Sequence, residues 1–155
     1  MIGRQDKDIV ALANVPSVGI RAIGIDAVDI ARFSLWHTYN DKKLLRLFSA
    51  EEIAYCRTCK AKSAERFAAR FAAREALYKA LSQAYPEQKI LFLKLCKNIK
   101  IMHGTNGQPE LVINWERLAP MVTQPPRTLL SLTHTKTMAL AWVMIKEKST
   151  QKNAR

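Results

Sequence analysis

An Ile-rich run with Gly24 inside it spans Ile20 to Ile25 and predicts a buried strand. Asp26-Ala-Val-Asp29 then leads into a helical stretch, Ile30 to Trp36. Lys42 to Phe48 reads as a short basic amphipathic segment. Ser49-Ala-Glu-Glu52 has the pattern of a capping box and opens a helix reaching about Cys59. The longest periodic element, Ser63 to Ala84, contains no Gly or Pro and is rich in Ala, Arg, Leu and Glu. After Pro86 the texture changes to strands. Ile99 to His103 and Glu110 to Ile113 flank an Asn106-Gly107 turn and predict a hairpin. Pro120, Pro125 and Pro126 break the segment after Trp115, and two last strands, Leu129 to Thr133 and Met138 to Ile145, are joined by His134-Thr-Lys-Thr137. These elements predict an α+β fold.

The long helix places an acid where apolar residues are expected. Phe67, Phe71, Glu75 and Lys79 follow one another at i+4, so Glu75 lies about 40° around the axis from Phe71, on or beside the core-facing stripe. Arg66, Arg70 and Arg74 form a second i+4 row, which reads either as a basic ridge lining a phosphate pocket or as a solvated face. Asp26 is the second misplaced acid, at the end of an apolar strand. Burying an unpaired carboxylate costs several kcal/mol, so two such acids are most cheaply explained if they face each other across a cation. Magnesium is held by one or two carboxylates with water and substrate phosphates completing its shell, and the scarcity of His argues against zinc or a redox metal. Asp26 and Glu75 are therefore the candidate ligands, and phosphoryl or phospho-ester transfer the expected reaction class.

With 155 residues, 48% of them hydrophobic, the chain suits one domain with loose ends. Residues 1–18 mix charges with a Pro16-Ser-Val-Gly19 turn and read as a mobile extension, and residues 147–155 as a frayed tail. Neither a signal-peptide pattern nor an apolar run of membrane-spanning length is found, and a cytoplasmic protein without membrane contact is expected. The balance of 25 Lys+Arg against 13 Asp+Glu gives +12 and favours an anionic partner. Cys56, Cys59 and Cys96 imply no disulfide framework, and Cys56-Arg-Thr-Cys59 lacks the further ligands of a zinc site.

Gly24-Ile-Asp26, followed some fifty residues later by Arg70-Phe-Ala-Ala-Arg-Glu-Ala-Leu-Tyr-Lys79, resembles the two signature motifs of the 4'-phosphopantetheinyl transferases. Ser131-Leu-Thr-His-Thr135 and the short chain are similar to the holo-acyl-carrier-protein synthase group, with Phe48-Ser-Ala-Glu-Glu52 and Gly107-Gln-Pro109 in the family's order. The resemblance implies that residues 19–146 form a transferase domain, a long helix packed on a small, mostly antiparallel sheet. It implies transfer of the phosphopantetheine arm of coenzyme A to a serine of an acyl carrier protein, a step of lipid and fatty acid biosynthesis. Asp26 and Glu75 would be the Mg2+ ligands. Lys79 would be catalytic, stabilising charge on the diphosphate or protonating the departing group, while a metal-bound water or a carboxylate takes the serine proton. Arg70, Arg74, Lys79, His134 and Thr135 would bind the co-substrate. Asp29 would orient a water or cap the next helix. Arg32 would dock the acidic carrier, with Lys42, Lys43 and Arg46 extending its patch on grounds of charge alone. A homotrimer with sites shared between subunits is also implied.

One stretch departs from the family. Ser82-Gln-Ala-Tyr85 stands where a Gly-Thr-Gly turn is usual, so either the helix runs on and coenzyme A sits differently, or affinity is reduced. This keeps open a weakened relative that still binds coenzyme A or the carrier. A basic nucleic-acid-binding module is the competitor from another class, and it would need aromatics interleaved with Lys and Arg on an exposed sheet.

Overall fold

A computed structural model describes residues 19–147. The extension expected over residues 1–18, and all but the first residue of the expected tail, lie outside these residues. Strand β1 (Ile20–Asp29) continues past its predicted end at Ile25. The cause is its ladder with β5 (Met138–Lys146), which holds from Ile20 opposite Lys146 to Asp29 opposite Met138. Asp26 therefore lies within a strand, opposite Ala141. β4 (Arg127–His134) pairs with the other side of β5, giving an antiparallel sheet of order β1-β5-β4. The predicted helix at Ile30–Trp36 is instead two 3-10 turns, Ile30–Phe33 and Trp36–Thr38.

Short helix α1 (Asp41–Leu44) precedes α2 (Ala50–Arg57), which opens with the predicted capping box. Ser49 Oγ accepts from the Glu52 amide at 3.3 Å, and Glu52 Oε2 accepts from the Ser49 amide at 3.0 Å. The long helix α3 (Lys60–Ala84) packs across the sheet, and α4 (Phe92–Lys97) follows it. β2 (Ile99–His103) and β3 (Pro109–Ile113) form the predicted hairpin, and α5 (Trp115–Leu118) leads back to the sheet. Helices α4 and α5 were invisible to periodicity, since neither completes two turns.

Close approach of α3 to β1 decides where the acids meet. Ala72, Ala73, Ala76 and Ala80 are buried on the sheet-facing side of α3. A Cβ on Gly24 would lie 1.9 Å from the Ala76 carbonyl oxygen, so only glycine permits this contact. Ala22, Gly24 and Val28 are buried and Ile23 and Ile25 exposed, so strand alternation puts Asp26 on the helix side.

Candidate active site

Asp26 and Glu75 arrive from β1 and α3. Lys79, one turn beyond Glu75, donates from Nζ to Asp26 Oδ1 at 2.8 Å and to the Ile25 carbonyl at 3.0 Å. Asp26 Oδ2 is buried and accepts no hydrogen bond. Glu75 is half-buried, and its carboxyl is held above its ordinary range by burial first and by the negative charge of Asp26 second, with Lys79 and Arg32 pulling it back. A bare carboxylate oxygen beside a second acid that resists ionising is a pair a hard divalent cation would satisfy. An all-oxygen donor set fits magnesium. Among the described residues no group of three or more His, Cys, Asp or Glu could hold an ion, so further ligands must come from substrate or water.

Arg74 goes elsewhere. Its guanidinium is fully buried and donates to both oxygens of Glu52, at 3.0 and 2.6 Å, and to the Arg70 carbonyl at 3.1 Å. This corrects the ridge reading: seven residues after Phe67, Arg74 lies only about 20° from that core position, so it points inward to a carboxylate instead of out to a phosphate. Glu52 is the residue sequence reasoning missed. Its capping-box place was visible, but an arginine on the Phe67 line was the signal that a buried acid must answer it. The Ile101 amide donates to the same carboxylate, at 3.3 Å, so α2, α3 and β2 meet there.

Arg70 is 5% exposed, and its Nε has no partner, because Glu52 Oε1, 4.0 Å away, already serves Arg74 and Ile101. Its guanidinium carbon and that of Arg66 each lie 4.3 Å from the Tyr55 ring centroid. His103 packs on that ring at 4.6 Å, and burial, then Arg70 and Arg66, push its pKa down. His134 ends β4 and faces Glu65 of α3 at 3.2 Å. Thr135 Oγ1 accepts from the amides of Thr137 and Met138 in the following turn. Glu65 precedes Glu75 by ten residues, roughly 15 Å along the helix. One chain thus brings Asp26, Glu75 and Lys79 together and leaves His134 and Thr135 apart from them.

The sequence places this arrangement among known proteins. Residues 22–131 match the model of the 4'-phosphopantetheinyl transferase superfamily. The chain belongs to this superfamily. It is 36% identical over 128 residues to a holo-[acyl-carrier-protein] synthase of Treponema denticola, covering 81% of this chain and 98% of that one. The fold is similar to the holo-[acyl-carrier-protein] synthase of Neisseria meningitidis, with a TM-score of 0.65 and 26% identity over 83% of this chain and all of that one. It is also similar to the Helicobacter pylori holo-[acyl-carrier-protein] synthase in complex with coenzyme A, with a TM-score of 0.59 and 30% identity over 79% and 98%. The α+β expectation, a long helix against small antiparallel sheets, holds.

Within this transferase fold the remaining candidates take distinct places. Arg32 lies near enough to act on Glu75 and has its guanidinium 5.9 Å from the Phe33 and Phe71 rings. Lys42, Lys43 and Arg46 are exposed, and the Lys43 ammonium sits 3.4 Å from the Tyr39 ring centroid. Asp29 caps the 3-10 turn, accepting from the Ala31 amide at 2.9 Å. Cys56, Cys59 and Cys96 are free thiols, with those of Cys56 and Cys96 raised by burial to about 11. At the departed turn the helix runs on to Ala84. Gln83 accepts from the Ile23 amide at 3.3 Å, and Arg21 Nε donates to the Ala84 carbonyl at 3.1 Å, over the Tyr85 ring. No helix of the described residues is long and apolar enough to cross a membrane.

Proposed function

We propose that this chain is a magnesium-dependent holo-acyl-carrier-protein synthase, transferring the 4'-phosphopantetheine arm of coenzyme A to a serine of an acidic carrier protein in the cytoplasm. The observation that carries the chemistry is the unpartnered, buried Asp26 Oδ2 beside Glu75. Asp26 and Glu75 would hold Mg2+, which when bound would neutralise charge on the diphosphate. The serine hydroxyl gives its proton to a water or a carboxylate, and its oxygen forms a bond to the β-phosphorus. The bond from that phosphorus to the bridging oxygen breaks, and its electron pair leaves with adenosine 3',5'-bisphosphate. Lys79, half-exposed beside Asp26, is placed to meet charge growing on the departing group. Arg70, His134 and Thr135 serve the nucleotide. Arg74 supports that side from within, through Glu52. Arg32, Lys42, Lys43 and Arg46 present cations to the carrier.

Assembly as a homotrimer with shared sites completes the reading. The sheet face away from α3 carries Ile23, Met144 and Leu129 across one row and Ile25 and Trp142 across the next, with Ile25 52% and Trp142 49% exposed. A second copy covering this apolar face would let His134 and Thr135 of one subunit serve the acid pair of another. Trp142→Glu is expected to shift the mass measured by light scattering from trimer to monomer; an unchanged mass would reject this interface. The same open face carries a single Trp among Ile, Leu and Met, with Arg127 and Lys146 opposite each other at its end, and lacks the interleaved aromatics of a nucleic-acid platform.

Incubation with apo carrier protein, coenzyme A and Mg2+ should add one phosphopantetheine arm to the carrier by intact-mass spectrometry. No mass gain, with coenzyme A still bound, would favour the weakened relative that the extended α3 keeps in view.

A further inference from the structure

The ammonium of Lys79 is fastened at two points, Asp26 Oδ1 at 2.8 Å and the Ile25 carbonyl at 3.0 Å, and so stands against one of the two carboxylates expected to take the metal. Lys79 and Arg32 both act on Glu75 as positive charges. Two carboxylates facing two cations make a nearly neutral site, and among the described residues no third acid, His or Cys joins it. A divalent ion entering there gains little net charge attraction and only two protein oxygens.

We propose that Lys79 is a resident counter-cation. It holds Asp26 by Oδ1, leaves the buried Oδ2 for the metal, and keeps the protein a weak divalent-cation site until a diphosphate arrives. The diphosphate changes the balance in two ways, supplying further oxygen ligands and giving the ammonium a second anion. Metal and diphosphate therefore bind with positive coupling, each raising the affinity of the other. This rests on the proposed function for the identity of the diphosphate as coenzyme A. The role of Lys79 toward the metal stands independently of transfer.

The experiment is a titration with Mn2+, followed by the electron paramagnetic resonance of the free ion, with and without coenzyme A and corrected for Mn2+ bound by coenzyme A alone. Wild-type protein should bind Mn2+ weakly by itself and several-fold more tightly with coenzyme A, within the range of about 5- to 150-fold usual for coupled sites. Lys79→Met should tighten binding of Mn2+ alone by at least about tenfold, the scale on which one neighbouring charge shifts a carboxylate's affinity for a cation. Lys79→Arg, which keeps the charge, should stay near wild type. Lys79 is half-exposed, and Lys79→Gln gives the same readout should the Met variant not fold. Unchanged or weaker Mn2+ binding in the charge-removing variants would overturn the proposal, as would equal wild-type affinity with and without coenzyme A. Tightening in Lys79→Met without any transfer by wild type would leave the counter-cation standing and remove the transferase reading instead.

Discussion

Arg74 and Glu75 are neighbours in sequence, yet each belongs to a different kind of charged cluster. Arg74 meets a carboxylate whose two oxygens take both of its terminal nitrogens together with the Ser49 and Ile101 amides, so Glu52 has every need met inside the protein. Glu75 meets a second acid, and one oxygen of that acid has no partner. Turning 100° around one helix separates them. A buried ion pair whose carboxylate is fully hydrogen-bonded holds elements in place. A cluster with one carboxylate oxygen left bare is poised for a ligand.

The contrast can be broken by substitution. Glu52→Ala should have the largest effect, about 3–5 kcal/mol of lost stability in chemical denaturation, because it leaves Arg74 buried with no counter-charge and frees β2 from α2. If the variant unfolds at the wild-type denaturant concentration, Glu52 is not the structural half of the pair. Glu75→Gln should do the reverse, keeping the fold while lowering transfer on the order of 100-fold or more. Activity near wild type would remove Glu75 from the metal site.

The same variant sharpens the comparison through pH. Glu75 in the folded chain holds its proton more tightly than in the unfolded chain, so ionising it disfavours folding as pH rises from the ordinary carboxylate range through its raised value. In metal-free buffer Glu75→Gln should therefore melt slightly above wild type at neutral pH. The gap should close on acidification below the ordinary carboxylate range; a gap independent of pH would mean that neither burial nor Asp26 raises the proton affinity of Glu75. The smallest effect is expected at a third, solvated pair. Glu51 is held at about 2, mainly by its hydrogen bond from Lys100 at 2.8 Å. Lys100→Ala should return its NMR titration toward the ordinary range without moving the melting temperature, since exposed pairs contribute little.

Much of this was legible in the residues. The capping box at Ser49 and Glu52, the hairpin around Asn106-Gly107 and the long helix are local patterns, set by hydrogen bonds and periodicities within a few residues, and all three appear as read. The inward placement of Asp26 and Glu75 was legible because a charge in an apolar strand or on an apolar stripe announces an unmet need. Arg74 was misassigned for a related reason: the i+4 row with Arg66 and Arg70 drew it outward, while its i+7 relation to Phe67 pointed to the core.

What the amino-acid order determined by itself, then, was the set of elements and the presence of charges that would need partners. Which partner each charge found was decided only by tertiary structure. Glu52 and Arg74 are joined by the packing of α2 on α3, and Asp26 reaches Lys79 because Gly24 lets β1 lie against the Ala76 backbone. Periodicity reports the direction a side chain takes from its own axis. It carries no information on which other axis lies a few ångströms away, because that depends on how the whole core closes.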